Sequence, residues 1–347
     1  MAVNLAAAQL EAGHDARIYC ISGEGALAED ARRHGIPIRD FGKGAGISVR
    51  TVAEMAWALR EDKAEVVHTH NPAAHYYGAI AGFFSRTAAI VNTRHSPVSS
   101  RGDQHREWRF ARLLSITDQV AFVSEHARRA IAPAWGNARV LTSVIANGIP
   151  ISTFRKTPAQ PGHARPRIVF GSIGRLAPVK AHDVLLRAFR RLSDQCPEAR
   201  LRIIGDGPSK QSLELELERL GLGATARIDP ATSDVARVLS ELDILVVSSH
   251  SEGLPMIVLE AMAAGLPIVS TRVGGIPEVA PEGEIAWFCE PGNPDALAEA
   301  MLSAQACNNL AEKGRMAAGL AASFYDAARM AAQYEALYTS ILEWRRR

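Results

Sequence analysis

Cysteine is scarce and scattered in this chain of 347 residues. Its four cysteines, Cys20, Cys196, Cys289 and Cys307, form no CxxC pair and no other metal-ligand spacing, which excludes a disulfide-stapled scaffold and a zinc ribbon. Free thiols in a reducing compartment are expected. Long apolar runs are missing as well: none approaches the roughly 18 residues that cross a bilayer, and the opening "MAVNLAAAQL" lacks the basic flank of a secretory signal. The expectation is a cytoplasmic protein, at most peripheral on the cytoplasmic face of the inner membrane. An excess of one charge is also absent. A formal net charge of +2 excludes a dedicated nucleic-acid binder, which carries a strong basic excess. Low-complexity segments are absent too.

What is present is length and apolar content. A chain of 347 residues, 47% of them hydrophobic, is too long for one ordinary core and fits two domains. Charge divides unevenly between them: residues 1–165 hold 20 Lys and Arg against 14 Asp and Glu. A locally basic half faces an anionic substrate or an acidic membrane surface, or is simply a solvated face.

Along the chain, apolar Val3, Ala6, Ala7 and Leu10 recur at helical spacing up to Gly13, which reads as a helix with a glycine C-cap. A strand follows in "DARIYCIS", then a helix near 25–35, a strand "VVHTH", a helix near 72–85, a strand "AAIVNTRH", a helix near 103–116 and a strand "QVAFVS". "TPAQPGHARPR", residues 157–167, holds three prolines and no apolar period, and reads as a linker. The alternation then restarts with "RIVFGSIG", "AHDVLLRAFRRL", "LRIIGDG", "SKQSLELELERLGL", "DILVVSS" and "PMIVLEAMAAG". Two alternating runs predict an α/β protein with two doubly wound domains facing across a cleft. The expected division is 1–157, 158–325 and a final helix, 326–347, whose Phe324, Tyr334, Leu337 and Ile341 mark a face that packs back on the amino-terminal domain.

Ligands of open α/β sheets bind beyond the carboxyl ends of the strands. The residues there are unusually polar: Arg175 and Lys180 after the first carboxyl-half strand, and His250, Ser251, Glu252, Gly253 and Leu254 after "DILVVSS". Pro255 as the first residue and Gly265 just past the last fit a short helix that starts at the site. Backbone N–H groups at such a start, aided by the helix dipole, bind phosphate, and Gly253 permits close approach. Arg175 and Lys180 add two positive charges for the same phosphates. Glu252 in the turn and Glu260 in the helix are carboxylate acceptors suited to sugar hydroxyls. Glu260 reads equally as a partly buried glutamate paired with an arginine.

Nine of the eleven histidines precede residue 166. His68 and His70 share one strand face, which is half of a zinc site. The carboxyl half offers only His182 and His250, and no carboxylate follows at ligand spacing. A cleft-lining or structural role is the preferred reading, with no metal.

Four stretches, "ANGIPISTF", "GSIGRLAPVKAHDVLLRAF", "IIGDGPSKQSLE" and "LDILVVSSHSEGLPMIVLEAMAAGLPIVSTRVGGIPEV", follow one another over residues 145–280, with weaker "VVHTH", "NTRHS" and "VSEHARR" before them. In these the chain resembles the retaining glycosyltransferases of family 4, with the GT-B fold. The resemblance implies a hexose-type sugar donated by a UDP- or GDP-sugar to a glycan or lipid-linked acceptor, in lipopolysaccharide or cell-surface polysaccharide synthesis. It implies that Glu252 lies near the transferred sugar and Glu260 on the ribose. Arg175 and Lys180, after Gly174, neutralise the diphosphate, the backbone of Gly253 and Leu254 cradles it, and His95 stands beside the reacting sugar. No cofactor and no metal are implied, since the cations do that work, and front-face attack leaves no general base to assign. Arg101, Arg106, Arg109 and Arg112 around Trp108 read either as a site for an anionic lipid carrier or as a surface helix with scattered arginines.

Departures from the family pattern accompany the resemblance. The family begins with a strand and a glycine-rich loop, whereas this sequence opens inside the first helix, so an amino-terminal sheet without its first central strand is expected. Ala181 replaces a usual glycine, "RIDPATSD" lacks the glycine expected after its strand, and no glycine precedes Trp287. An inactive sugar-nucleotide-binding protein and a sugar-nucleotide epimerase or hydrolase are the alternatives to a transferase. An acceptor requirement separates the last from a transferase.

Overall fold

The computed structural model of the protein describes residues 1–25, 27–95, 101–136, 138–155 and 167–346, with backbone alone over 101–106. The expected linker lies outside the described residues, except for Arg167. The chain forms two compact units, Met1–Ile149 with Ala327–Arg347, and Pro150–Asp326. The division falls ahead of the expected 157/158 boundary because the short helix Ile151–Phe154 packs on helices of the second unit, Val235–Ser240 and Met256–Ala263.

The first unit holds β1 (Ile18–Cys20), β2 (Ile38–Asp40), β3 (Val66–His70), β4 (Ala89–Arg94), β5 (Gln119–Phe122) and β6 (Leu141–Val144). All pairings are parallel: β1 with β2, and β3 to β6 in chain order in a separate four-stranded sheet. The first helix, Ala2–Glu11, is closed by Gly13 at φ 91°, the left-handed value that glycine adopts without strain. Strand β2 and the helix Val49–Glu61 are absent from the sequence reading, which ran directly from the helix near 25–35 to β3. The signal for the helix is present: Ser48 caps it by accepting from the Thr51 amide at 3.1 Å, and its buried positions Met55, Ala56 and Leu59 recur at helical spacing.

The final helix, Ala327–Arg346, belongs to the first unit. Its Met330, Tyr334, Leu337 and Ile341 are buried with Leu5, Val91, Ala121 and Ile145. Phe324, expected on the same face, stays 54% exposed, because it ends the preceding helix, Leu310–Phe324.

The second unit holds β7 (Val169–Ile173), β8 (Arg200–Ile204), β9 (Ala226–Asp229), β10 (Ile244–Val247), β11 (Ile268–Thr271) and β12 (Ala286–Cys289), in one parallel sheet of order β12-β11-β10-β7-β8-β9. The chain leaves β7 toward β8 and β9, then returns to the other side of β7 for β10, β11 and β12. The boundary between β7 and β10 is therefore the topological switch point, beyond whose carboxyl ends such sheets bind ligands. On one face Phe170, Leu201, Ile203, Val246 and Val269 pack against Leu185, Phe189, Leu192, Leu297 and Met301 of the crossover helices His182–Gln195 and Pro294–Gln305. Asn293 caps the second of these helices by accepting from the Asp295 and Ala296 amides.

Candidate functional site

Two loops leave the switch point. After β7, Gly174, Arg175 and Leu176 lead to a single turn, Pro178–Lys180, and then to Ala181, the N-cap of His182–Gln195. Ala181 has φ 49°, which explains why glycine suits this position. Here the strained alanine is completely buried, and its methyl group packs into the core of the unit. After β10 come Ser248, Ser249, His250, Ser251, Glu252, Gly253 and Leu254, then the helix Met256–Ala263. Pro255 is the N-cap rather than the first helical residue, with ψ 131°. Gly265 closes the helix at φ 72°, as expected.

Lys180 and Glu252 meet. Lys180 Nζ donates to Glu252 Oε1 at 2.7 Å, and the Ser249 hydroxyl donates to the same oxygen at 2.6 Å. Ser248 Oγ donates to the Lys180 carbonyl at 2.9 Å, which ties the two loops together. Thr271 Oγ1 donates to the Ser249 carbonyl at 2.7 Å from the end of β11. The turn at Glu252 and Gly253 is backed by Gly274 and Gly275. The Gly275 amide donates to the Gly253 carbonyl at 2.6 Å, and a Cβ on Gly274 would overlap the carbonyl oxygens of Glu252 and Gly253. Gly174 lies against the Lys180 stem. Ser249, Thr271 and Gly274 escaped the sequence reading, although "VVSS" and "TRVGGIP" lie at strand ends; His182, weighed there as a metal ligand or a cleft-lining group, lies beside Lys180. His182 is buried, its Nδ1 has no hydrogen-bond partner among the described residues, and burial lowers its pKa to about 4.

Arg175 is exposed and, among the described residues, forms no ion pair. The two cations thus differ: the charge of Lys180 is met by Glu252, and that of Arg175 is open to a ligand. Between the loops, Ser172, Lys180, His182, Ser249 and Glu252 enclose about 10 Å³, room for about one water. Leu254 is buried behind the turn. Glu260 is the fifth residue of its helix and half-buried. No arginine among the described residues pairs with it. Burial raises its pKa to about 7.

His95 follows β4 in the first unit, where a chain of buried polar groups surrounds it. His70 Nδ1 lies 3.0 Å from His95 Nε2. His68 hydrogen-bonds the Tyr338 hydroxyl and Thr93 Oγ1, each at 2.7 Å, and Thr93 Oγ1 lies 2.8 Å from the Tyr334 hydroxyl. Burial pushes His95 down to about 4 and His68 to about 3, so these rings are neutral hydrogen-bonding groups at neutral pH. Among the described residues no group of three or more His, Cys, Asp or Glu side chains could hold a metal. The four cysteines are free, and among the described residues no helix is long and apolar enough to cross a membrane. Of the arginines around Trp108, Arg112 stacks its guanidinium 3.7 Å from the ring centre. The side chains of Arg101 and Arg106 lie outside the described residues.

Comparisons with known proteins place this geometry in a family. Residues 153–318 match the glycosyl transferases group 1 family and residues 1–153 match glycosyltransferase family 4. The sulfoquinovosyl transferase SQD2 of Arabidopsis thaliana is 26% identical over 71% of this chain and 50% of its own length. A D-inositol 3-phosphate glycosyltransferase of Saccharomonospora viridis is 35% identical over 39% of this chain and 35% of its own. The chain therefore spans half or less of these curated relatives. The crystal structure of Anabaena Alr3699/HepE in complex with UDP superposes with a TM-score of 0.85 at 22% identity, covering 98% of this chain and 96% of that one. The same Anabaena protein has been solved with UDP-glucose, with a TM-score of 0.85. With both halves matched and the paired parallel-sheet units observed, the chain belongs to the group 1, family 4 glycosyltransferases and has their GT-B fold.

Proposed function

We propose that the protein transfers a hexose-type sugar from a nucleoside diphosphate sugar to a hydroxyl of a glycan or lipid-linked acceptor, with retention of anomeric configuration. The observation that carries the reading is the meeting of Lys180 and Glu252 at the switch point of the second sheet, with exposed Arg175 on the same loop as Lys180. Breaking the bond from sugar to phosphate leaves oxocarbenium character on the sugar and negative charge on the diphosphate. Cations held in place beforehand stabilise that charge most. Arg175 is open to the diphosphate, and Lys180 turns from Glu252 toward it as Glu252 takes sugar hydroxyls. The helix start at Gly253 and Leu254 adds backbone N–H donors, and Glu260 accepts from the ribose. His95, neutral and held by His70, hydrogen-bonds the reacting sugar. The donor phosphate takes the acceptor proton, and no metal or other cofactor takes part.

UDP is the favoured nucleotide, supported by the UDP bound to the Anabaena relative. With such an acceptor, the proposed role is in lipopolysaccharide or cell-surface polysaccharide synthesis, on the cytoplasmic face of the inner membrane. The exposed Trp108 with its stacked Arg112 supports a peripheral contact there. The test is thermal stabilisation by UDP, GDP, ADP and their sugars, followed by transfer to a lipid-linked acceptor with and without EDTA. A shift selective for one nucleotide and abolished in Arg175→Ala, with an α-linked product from an α-donor by NMR, is expected. Sugar release that needs no acceptor would place the protein with the hydrolases or epimerases instead.

A further inference from the structure

The second unit has another cluster of cations, at the opposite end of the same sheet. β8 is an interior strand, and the buried Leu201 and Ile203 point to the helix-covered core. The alternate positions, Arg200 and Arg202, stand on the other face. Interior strands of parallel sheets are ordinarily apolar on both faces, so two arginines here require an explanation. Arg202 stands opposite Arg227 of β9, and Arg200 opposite Val169 of β7. With Arg167, just before β7, the three arginines line a cavity of about 440 Å³, within the usual range for small-molecule sites.

The ion pairs in its wall are incomplete. Arg202, with 14% of its side chain exposed, bonds Asp229 at 2.7 Å and Glu241. Arg227 shares Asp229 at 3.2 Å. Arg200 directs Nη1 to the carbonyls of Pro197 and Ala199 at 2.9 and 2.8 Å. Neither Arg200 nor Arg167 has a carboxylate partner among the described residues. Among the described residues four guanidinium groups thus face two carboxylates, and two positive charges remain. The partly buried ion pair with Asp229 anchors Arg202, and the planar guanidinium fork matches phosphate oxygens two at a time.

We infer that this cavity is a binding site for a small phosphorylated molecule carrying two or more negative charges, such as a diphosphate or a sugar phosphate. It is separate from the switch-point site. β7 runs between Arg167 and Gly174 and places them at opposite ends of the sheet, about 23 Å apart for seven steps at an extended-chain rise of about 3.3 Å per residue. The inference does not rest on the proposed transferase activity.

Inorganic pyrophosphate is the probe, titrated calorimetrically into the full chain. Because the switch-point cations also suit pyrophosphate, the reference protein is Arg175→Ala/Lys180→Ala. It is expected to bind one pyrophosphate, with affinity falling as salt rises. Adding Arg167→Gln and Arg200→Gln is expected to weaken that binding at least tenfold with the melting temperature unchanged. Should the combined variant not fold, Arg227→Gln in the reference protein, at a side chain 63% exposed, is expected to weaken binding several-fold. No pyrophosphate binding to the reference protein overturns the inference. So does an unchanged Kd after removal of the cavity arginines.

Discussion

Lys180 Nζ and Glu252 Oε1 lie 2.7 Å apart, and Glu252 is the more buried of the two, 11% against 26% exposed. The pair joins the loops after β7 and β10, so its two members differ from Arg175 in what a substitution costs. Arg175→Ala is expected to leave stability within ~0.5 kcal/mol, as for an exposed side chain without partners. It should lower kcat/KM by about 100-fold or more through lost stabilisation of the diphosphate. Lys180→Ala should lower kcat/KM comparably and also lower stability, because Glu252 is left half-buried beside Ser249 alone. Melting curves and steady-state kinetics of the two variants separate these effects. Equal melting temperatures would remove the structural part of Lys180.

Gly274 limits the geometry of the same turn. It has φ 59°, and its Cα faces the carbonyls of Glu252 and Gly253 so closely that no Cβ fits. Gly274→Ala is expected to displace the turn, costing about 1–3 kcal/mol and more than tenfold in nucleotide affinity. Gly283→Ala is the control: it too has positive φ, at 77°, but nothing lies within 4 Å of the added methyl. Its nucleotide affinity should be unchanged. Should Gly274→Ala bind nucleotide normally, the turn does not depend on that close approach.

The difference between these two glycines also shows what the sequence makes legible. Both occur between turn residues, and only the packing of one loop on another distinguishes them. Alternation of β-branched runs and helices was enough for the parallel sheets, because each crossover has to return to the same sheet edge direction. The strand-end rule was enough to locate Arg175, Lys180 and Glu252 on the loops after β7 and β10. The three-residue strands β1 and β2 carry too few positions for a period, and β2 was missed altogether. Ser249 and Thr271 were missed because a hydroxyl gains its role only through the neighbouring strand that presents it. Arg200 and Arg202 were not singled out, because only the sheet order, with β9 beyond β8, makes theirs an interior strand.

Glu260 links nucleotide binding to pH. Burial holds its folded pKa at about 7, above the ordinary glutamate value of 4.5, so the native state keeps a proton that the unfolded chain releases. Its contribution is present below about pH 4.5 and is lost as pH rises to about 7, a difference of ~3 kcal/mol at ~1.4 kcal/mol per pKa unit. Glu260→Gln should flatten that part of the stability profile. Ribose hydroxyls donate to the ionised form and favour it, so UDP binding near pH 6 should release a proton. Calorimetry in buffers of different ionisation enthalpy measures the release. A binding enthalpy independent of buffer would argue against a ribose contact at Glu260.

The histidines of the first unit act in the opposite direction. Burial lowers His68 and His75 to about 3 and His95 to about 4, against the ordinary histidine value of 6.5. A histidine with a depressed folded pKa contributes stability that is present above about 6.5 and lost as pH falls toward its folded value. His75, between Thr69 Oγ1 at 2.8 Å and Thr117 Oγ1 at 2.9 Å, must open that network to become charged. Two units need not unfold together, so a single melting temperature would blur the effect. Hydrogen exchange localised by peptide resolves it: from pH 7.5 to 4.5, after correction for intrinsic rates, β3 and β4 should lose protection while β7 and β8 keep theirs. His95→Asn should lessen the loss in β4. A uniform decline across both units would show that acid acts on the fold as a whole and that the buried histidines do not set the threshold.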